Sequence, residues 1–330
     1  MNEIPAHLSL TYSEDSRDDA LFHYTSADGL IGILNSGEIW STAYYCLNDE
    51  SELAAGKEIL TAEFRRATHT MILDNDPLVE IFRSRGVDIE EYARTFVNWV
   101  LGHTFHELCA YITCFCRPTG AEDFVHGLLS QWRAYGGDGG YALQFSRKKL
   151  LAAVDSANNA GELSYQLDDV HYTEESPLKS ELLAHKNSFI QAYRDFLEQI
   201  GRPVNEILEM RSMPNLASGL LGGPLESLLD YVLHTKNQHF SEERECRLSL
   251  IEPISSKAEN LETNYFNRGG LIAPYKKTPR TTFPLLDCIE WIVIGPSPRM
   301  GARFKSINQI VRTAGLPIKV RPSRIPFVRG

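Results

Sequence analysis

The chain has 330 residues, 43% of them hydrophobic, which suits one large domain or two small ones. No apolar run approaches the roughly 20 residues that a membrane-spanning helix needs, and the acidic N-terminus lacks the basic and apolar segments of a signal peptide. The six cysteines form no C-x-x-C pair and several lie in apolar runs, so we expect reduced, buried thiols and a cytoplasmic protein.

The formal net charge of −10 is unevenly distributed along the chain. From Arg268 to the C-terminus, 12 lysines and arginines stand against Asp287 and Glu290, a balance of +10, and the remainder carries −20. Such a basic region can attract phosphate groups, or it can dock against the protein's own acidic surface. We favour internal docking, because a nucleic-acid-binding domain usually shows a denser basic cluster.

The first stretch with a clear pattern predicts a strand, a helix and a second strand. "LFHYT" is typical of a strand, and residues 27–35 place their apolar side chains on one helical stripe. Gly37 predicts the end of this helix, before the strand "EIWSTAYY". Thr25 and Asp28 have capping-box spacing, so we expect Thr25 to cap the helix.

Further along the chain, helices and strands alternate irregularly. We expect helices from residue 48 or 49 and over about 78–106, and then strands in "CAYITCFC", "YALQFS" and "DDVHYTEE". Residues 178–236 have a helical pattern with Gly-Pro breaks, as in an insertion or lid beside a cleft. "RECRLSLIEP" alternates as a half-buried strand, and "IEWIVIG" precedes a helix over about 299–314. This order predicts mixed α and β structure rather than a doubly wound sheet.

His23 is the first candidate for chemistry. It stands on the first predicted strand, just before a helix begins and beside two hydroxyl-bearing residues, Tyr24 and Thr25. A lone histidine in such a place is most often half-buried and bonded to a backbone carbonyl. The alternative is a ligand pocket at the mouth of the helix.

Glu245 is the second candidate. Glu243, Glu245 and Arg247 alternate along an otherwise apolar strand, so their side chains share one face. They form either a surface ladder of salt bridges or a carboxylate that a neighbouring arginine holds in place. The sequence leaves both interpretations open.

Aromatic and polar residues elsewhere have two interpretations as well. Trp132 and Tyr135 lie three apart before a glycine turn, and they either pack in the core or form a stacking wall for a flat ring. Asn48 either caps a helix or contributes to a cofactor site. His103 and His106 do not fit H-E-x-x-H and have no evident third ligand, so we expect no metal site.

Several of these pieces, taken together, resemble a bacterial family known as domain of unknown function 2971 (DUF2971). The matching segments follow the family's order along the chain. In one departure, the aromatic residue that precedes the glutamates, often Trp in the family, is Phe240 in this chain. The matching segments are "FHYTSADGLIGILNSGEIWSTAYYCLNDESE", "ITCFC" with "QWRAYGGDGGYALQF", "DDVHYTEE", "HTKNQHFSEERECRLSL" and "IEWIVIGPS".

The opening His-Tyr-Thr, helix and glycine also resemble the start of DNA-targeting ADP-ribosyltransferase toxins and of poly-ADP-ribose polymerase-like enzymes. This second, shorter resemblance implies an α+β fold with a split mixed β-sheet of ADP-ribosyltransferase-like type and helical insertions. It implies one domain over residues 1–330, with 178–236 as a helical insertion. NAD would lie in the cleft as a substrate, and no metal would be needed.

The same resemblance implies roles for individual residues. His23 would bind a ribose hydroxyl of NAD, and Tyr24 and Thr25 would lie along the cofactor. Trp132 or Tyr135 would stack on nicotinamide, and the catalytic carboxylate would be Glu245. The remaining cofactor-binding candidates are Asn48 and Arg247.

Cleavage of the nicotinamide–ribose bond produces an oxocarbenium-like sugar, which a fixed carboxylate stabilises. The expected function is therefore transfer of ADP-ribose from NAD to a protein or nucleic-acid acceptor, with no membrane partner, as in a toxin or a phage-defence effector. Hydrolysis of NAD by water is one alternative. A non-catalytic nucleotide-binding or sensor module is another, and an interaction protein acting through the helical region 178–236 is a third.

Overall fold

The computed structural model describes residues 14–47, 52–74, 88–135, 140–160, 164–172, 186–198, 223–253 and 262–326. Within these residues ten strands form one sheet. The strands are β1 Ala20–Thr25, β2 Trp40–Ala43, β3 Leu108–Cys116, β4 Tyr141–Ser146, β5 Ser164–Asp169, β6 Glu245–Pro253, β7 Asn264–Arg268, β8 Leu271–Lys277, β9 Ile289–Ile294 and β10 Lys319–Pro322. The α-helices are α1 Glu14–Asp18, α2 Ala27–Ser36, α3 Glu52–Leu73, α4 Ile89–Glu107, α5 Ala121–His126, α6 Leu129–Tyr135, α7 Arg147–Ala160, α8 Lys186–Glu198, α9 Gly223–Leu233 and α10 Met300–Thr313.

The fold is mixed α and β, as the sequence predicted, and its sheet is mixed. Its main path runs β10-β9-β4-β1-β3-β2-β8-β7, and β6 joins β3 with β5 outside it. The β9–β10 pair is parallel and the other strand pairs are antiparallel. None of the helices in the described part of the chain is long and apolar enough to cross a membrane.

The sheet splits at β3. β6 pairs with β3 at every residue from Leu108 to Cys116 and so occupies one whole edge of that strand. β1 and β2 must therefore share the other edge: β1 meets it at Cys116, and β2 meets it at Tyr111 and Ile112. A gap opens between β1 and β2 beside Thr113 and Cys114, and this gap positions the site described below.

Apolar clusters cover the two faces of the sheet. One face packs against α2, α7 and α10, and its core includes Phe115, Leu143 and Leu248. The other face carries two separate clusters. A larger one lies under α3, α4, α8 and α9, and a smaller one lies under α5 and α6 and includes Phe22. The split lies between these two clusters.

The opening strand and helix form where the sequence predicted them, with one correction. Gly37 ends α2 in the left-handed conformation (φ 70°), and its N–H donates to the Ile33 carbonyl. Ser26, not Thr25, caps the helix, and its hydroxyl accepts from Gly29 N–H. Thr25 is still paired with Tyr141 in the β1–β4 ladder, so the strand continues one residue beyond the predicted cap.

The strand β6 lies inside the sheet, between β3 and β5. Its predicted alternation is confirmed, since Cys246 and Leu248 belong to the core of one face. The prediction of a half-buried strand was wrong, because Glu245 and Arg247 on the other face are 5% and 1% exposed. Helices on that face exclude water from a row of polar side chains.

Other predicted elements are reproduced in part. The helix near 299–314 is confirmed as α10, whereas "EIWSTAYY" forms a strand only to Ala43 and then a 3₁₀ turn. Of residues 178–236, the structure describes 186–198 and 223–236, which hold the helices α8 and α9, and both pack on α3 and α4. Residues 48–51 and 75–87, which include predicted helix starts, lie outside the described residues.

Part of the basic C-terminal region is used internally. Lys276 forms a buried ion pair with Glu252 at 2.8 Å. Arg321 is 2% exposed, and it donates to the Val125 and Phe124 carbonyls and to the Gln144 side chain. The Lys276 pair, and a second pair of Lys277 Nζ with Glu38 Oε2 at 3.9 Å, follow the interpretation of docking against acidic groups, whereas Arg321 docks on carbonyl and amide oxygens.

Candidate functional site

A pocket of about 320 Å³ opens at the split in the sheet. Seven of the residues singled out in the sequence line it, namely His23, Tyr24, Tyr135, Phe240, Glu243, Glu245 and Arg247. The volume falls within the range of small-molecule sites, roughly 300–1,000 Å³. A larger cavity of about 490 Å³ lies between α3, α8 and α9, but it borders the break in the described chain after Asp74 and holds none of these candidates.

His23 stands where the ladder between β1 and β3 stops. Its Nδ1 is 3.0 Å from the Cys114 carbonyl oxygen, in the gap between β1 and β2. A carbonyl only accepts, so Nδ1 carries the proton in this hydrogen bond. Burial lowers the pKa of His23, and the bond to Cys114 only partly offsets this effect. A neutral ring that donates through Nδ1 leaves Nε2 as a hydrogen-bond acceptor.

Glu245 is held by two cations. Arg247 binds it in a bidentate manner, with Nε 2.8 Å from Oε1 and Nη2 3.0 Å from Oε2. Lys236 Nζ lies 3.3 Å from Oε2 and also 2.8 Å from Oε2 of Glu243. Of the two interpretations that the sequence left open, the structure has the carboxylate held in place by an arginine.

These contacts keep Glu245 ionised. Burial alone would raise its pKa, but the charges and hydrogen bonds of Arg247, followed by the charge of Lys236, lower the pKa to about 2. The side chain of Cys114, opposite Arg247 on β3, forms a further hydrogen bond that also lowers this pKa. Glu245 therefore lines the pocket as an ionised carboxylate.

The loop after α9 fixes the two cations. Arg247 Nη1 donates to the Leu233 carbonyl, and the backbone N–H of Lys236 donates to the His171 carbonyl at 2.9 Å. The Lys236 ammonium also lies 4.9 Å from the centroid of the Phe240 ring. Through this cation–π contact Phe240 helps to hold the ammonium of Lys236 beside Glu243 and Glu245.

The backbone immediately before Glu245 is strained. Arg244 has φ 42° and ψ 51°, the one positive φ outside glycine among the residues that the structure describes. This residue lies between the 3₁₀ turn Gln238–Glu243 and the start of β6 at Glu245. The Glu245 N–H then donates to the Tyr172 hydroxyl at 2.7 Å. Both features fix the position of the carboxylate, as is common at functional sites.

The aromatic candidates on α6 separate into two environments. Tyr135 is 49% exposed and lines the pocket together with Gln131, one helical turn away. Trp132 lies outside the lining and is 5% exposed; its ring packs 4.8 Å from Tyr24, and its Nε1 donates to the His126 carbonyl. Of the two interpretations that the sequence left open, Trp132 therefore has core packing, because its face of α6 lies against the sheet, whereas the face of Tyr135 meets the pocket.

Tyr24 and Thr25 have structural contacts of their own. The Tyr24 hydroxyl accepts the Leu128 N–H at 2.7 Å, which places the start of α6 beside the pocket. Thr25 is not part of the lining, and its side chain packs against Gly29 in the first turn of α2. The contact with the cofactor that the resemblance implied for Thr25 is therefore not met, because this side chain lies against the helix α2. Asn48 lies outside the described residues.

The polar and aromatic pocket residues that were not singled out in the sequence include Lys236, Gln131, Trp40 and Arg268. Lys236 and Arg268 belong to other segments and reach the site only through long-range pairing. A signal for Gln131 was present, since it stands four residues before Tyr135 on the same helix. Within the described residues no group of three His, Cys, Asp or Glu side chains is arranged to hold a metal ion.

The pKa of Glu245 predicts a pH dependence of stability. A carboxyl whose folded pKa is about 2, against an ordinary 4.5, stabilises the fold above pH 4.5 and loses that contribution as the pH falls towards 2. The difference in unfolding free energy between the wild type and Glu245→Gln should therefore be largest near pH 7 and shrink by pH 3. Urea unfolding at both pH values measures it, and an unchanged difference would contradict the assigned ion pairs.

One comparison with known proteins gave a match. Residues 131–248 match the family described as "Protein of unknown function (DUF2971)". The matched segment runs from Gln131 in α6 to Leu248 in β6, and so includes Tyr135, Lys236, Glu245 and Arg247. The resemblance to DUF2971 is thus supported over this range. No curated protein and no solved structure matches the chain.

Proposed function

We propose that the pocket binds NAD, that the nicotinamide–ribose bond is cleaved there, and that ADP-ribose is transferred to a macromolecular acceptor. The observation that carries this proposal is that His23, at the gap between β1 and β2, and Glu245 line one pocket, although 222 positions separate them in the chain. An ionised carboxylate and a neutral histidine in one cleft are the groups that such a cleavage uses.

The chemistry follows from the charge of Glu245. When the bond between C1′ and the ring nitrogen breaks, its electron pair leaves with nicotinamide, which departs neutral, and positive charge develops on the ribose. A carboxylate that is fixed before the reaction stabilises this charge without reorganisation. A carboxylate oxygen at the pocket can also accept a hydrogen bond from a ribose hydroxyl. The acceptor's nucleophile then forms a new bond to C1′ and loses its proton.

His23 would act by binding. As a neutral ring with Nε2 as an acceptor, it can receive a hydrogen bond from a ribose hydroxyl. Tyr135, half-exposed at the pocket, is the remaining aromatic candidate for contact with the nicotinamide ring. Residues on three separate segments would therefore orient the nucleotide.

A non-catalytic nucleotide-binding module is a second candidate, and one observation favours it. Glu245 already has two cationic partners, and Lys236 and Arg247 compensate the charges of Glu243 and Glu245. A compensated carboxylate stabilises a neighbouring cation less than an unpaired one does. Turnover distinguishes the two functions: the wild-type protein releases nicotinamide from NAD if it is catalytic and binds NAD without release if it is not.

His23→Ala is expected to weaken NAD binding by about 3- to 10-fold, the effect of one lost hydrogen bond. Isothermal titration calorimetry with NAD measures the dissociation constant. His126→Ala is the matched control, because His126 is also partly buried but does not line the pocket. Equal affinity of His23→Ala and the wild type would remove His23 from the site.

The proposal is tested by incubating the protein with NAD and measuring free nicotinamide and macromolecule-bound ADP-ribose. Release of nicotinamide with free ADP-ribose in every fraction would assign the hydrolase reaction instead. A role as a toxin or phage-defence effector depends on the acceptor that this experiment identifies.

A further inference from the structure

Three aromatic side chains form a cluster at the mouth of the pocket, namely Trp40, Phe266 and Tyr275. Trp40 is stacked on Tyr275 at 4.1 Å between ring centroids and an interplanar angle of 28°. Phe266 contacts both rings from the side, at 5.9 Å from Trp40 and 5.6 Å from Tyr275. Tyr275 is 7% exposed, whereas Trp40 is 46% exposed and lines the pocket.

The strand register places a cation on the same face. Thr42 pairs with Tyr275, and Asn264 pairs with Tyr275 from the other side, so these residues share one face of the sheet. By alternation Trp40, Phe266 and Arg268 share it too. Arg268 lines the pocket, and its Nη1 donates to the Cys46 carbonyl at 2.8 Å, which fixes the guanidinium at the edge of the pocket.

We propose that Trp40, supported by Tyr275 and Phe266, stacks on the base of a nucleotide and that Arg268 binds the attached phosphate. The inference rests on the proposed function, since it assumes a nucleotide in the adjoining pocket. The ligand chemistry is a flat heterocycle with a phosphate one ribose away. It can come from the adenylate half of NAD or from a nucleotide of a nucleic-acid acceptor.

Stacking of a base on Trp40 is favoured because Tyr275 already holds the indole ring in place. An exposed tryptophan that is fixed by a second ring loses little conformational freedom when a base stacks on it. Stacking of one base on an aromatic side chain typically changes affinity by roughly 10-fold or more and tolerates any base. A guanidinium forms paired hydrogen bonds to phosphate oxygens. The arrangement therefore recognises nucleotides as a class rather than one base.

The test uses two probes, AMP and a single-stranded 12-nucleotide DNA of mixed sequence, titrated into the full-length protein. Trp40→Ala should weaken binding of the responding probe by about 10-fold or more, and Trp40→Phe should retain most of it because a ring remains. Tyr265→Ala is the control: Tyr265 is 64% exposed on the same hairpin but faces the other side of the sheet, so its loss should change nothing. Arg268→Gln should weaken AMP more than adenosine.

The two sources give different results. If AMP shows this dependence on Trp40 and NAD displaces it, the subsite belongs to the adenylate half of NAD. If the oligonucleotide shows the dependence and NAD does not displace it, the subsite belongs to the acceptor, and its affinity should fall steeply with salt. Binding of neither probe, or equal binding by the wild type and Trp40→Ala, would overturn the inference. Trp40-dependent binding without nicotinamide release would refute the proposed catalysis and leave this subsite standing.

Discussion

Glu245→Gln is expected to lower the rate of nicotinamide release by about 10²–10³-fold, because it removes one fixed charge that stabilises the ribosyl cation. The amide keeps the shape of the side chain, so binding of NAD should survive. Release of nicotinamide under saturating NAD measures the rate, and calorimetry measures the binding. A wild-type rate in this variant would exclude Glu245 from the chemistry.

The substitution also leaves Lys236 and Arg247 with less compensating charge in a buried place, so some loss of stability is expected. Glu252→Gln is the matched control. Glu252 is a second buried carboxylate on β6, paired with Lys276, and it does not line the pocket. It should lose stability in a similar way and retain the wild-type rate. An equal loss of rate in both variants would indicate a general effect of destabilisation.

Arg247→Met is expected to lower the free energy of unfolding by about 3–5 kcal/mol, because it removes one partner of a buried ion pair. Arg247 is 1% exposed and links Glu245 to the Leu233 carbonyl, so its removal leaves a buried carboxylate and a buried carbonyl without these donors. Urea unfolding at pH 7 measures the change in free energy. Lys276→Met, which breaks the buried pair with Glu252 away from the pocket, gives a reference value.

The double variant Glu245→Gln with Arg247→Met measures the interaction energy between the two side chains, apart from the contacts that each makes with other residues. Because the two side chains contact each other directly, their effects should not add, and the double variant should be more stable than the sum of the two losses by about 0.5–3 kcal/mol. Strict additivity would contradict the buried ion pair.

Local patterns in the sequence predicted the elements that depend on neighbouring residues. Gly37 was expected to end the first helix, and its left-handed conformation follows from the absence of a side chain. The alternation along β6 was expected and is present. Its burial on both faces was not predictable, because that depends on β3, β5 and helices far away in the chain.

The candidate site illustrates the same limit. The sequence singled out His23 and Glu245 as separate candidates, and the resemblance to ADP-ribosyltransferases suggested that they act together. The gap between β1 and β2 arises because both strands share one edge of β3, which no local pattern encodes. Lys236 was missed for this reason, since its role depends on a loop that pairs with His171. The sequence left the role of Trp132 open, because a spacing of three does not decide which face of α6 meets the pocket.

The most direct measurement uses NAD labelled either in nicotinamide or in the adenylate group, incubated with the wild-type protein and a cell extract. The extract is afterwards digested separately with nuclease and with protease. We expect labelled nicotinamide to be released and the adenylate label to appear on macromolecules that only one of the two digestions removes, with both signals about 10²–10³-fold slower for Glu245→Gln. No release of nicotinamide by the wild-type protein, with or without extract, would contradict the proposed enzyme.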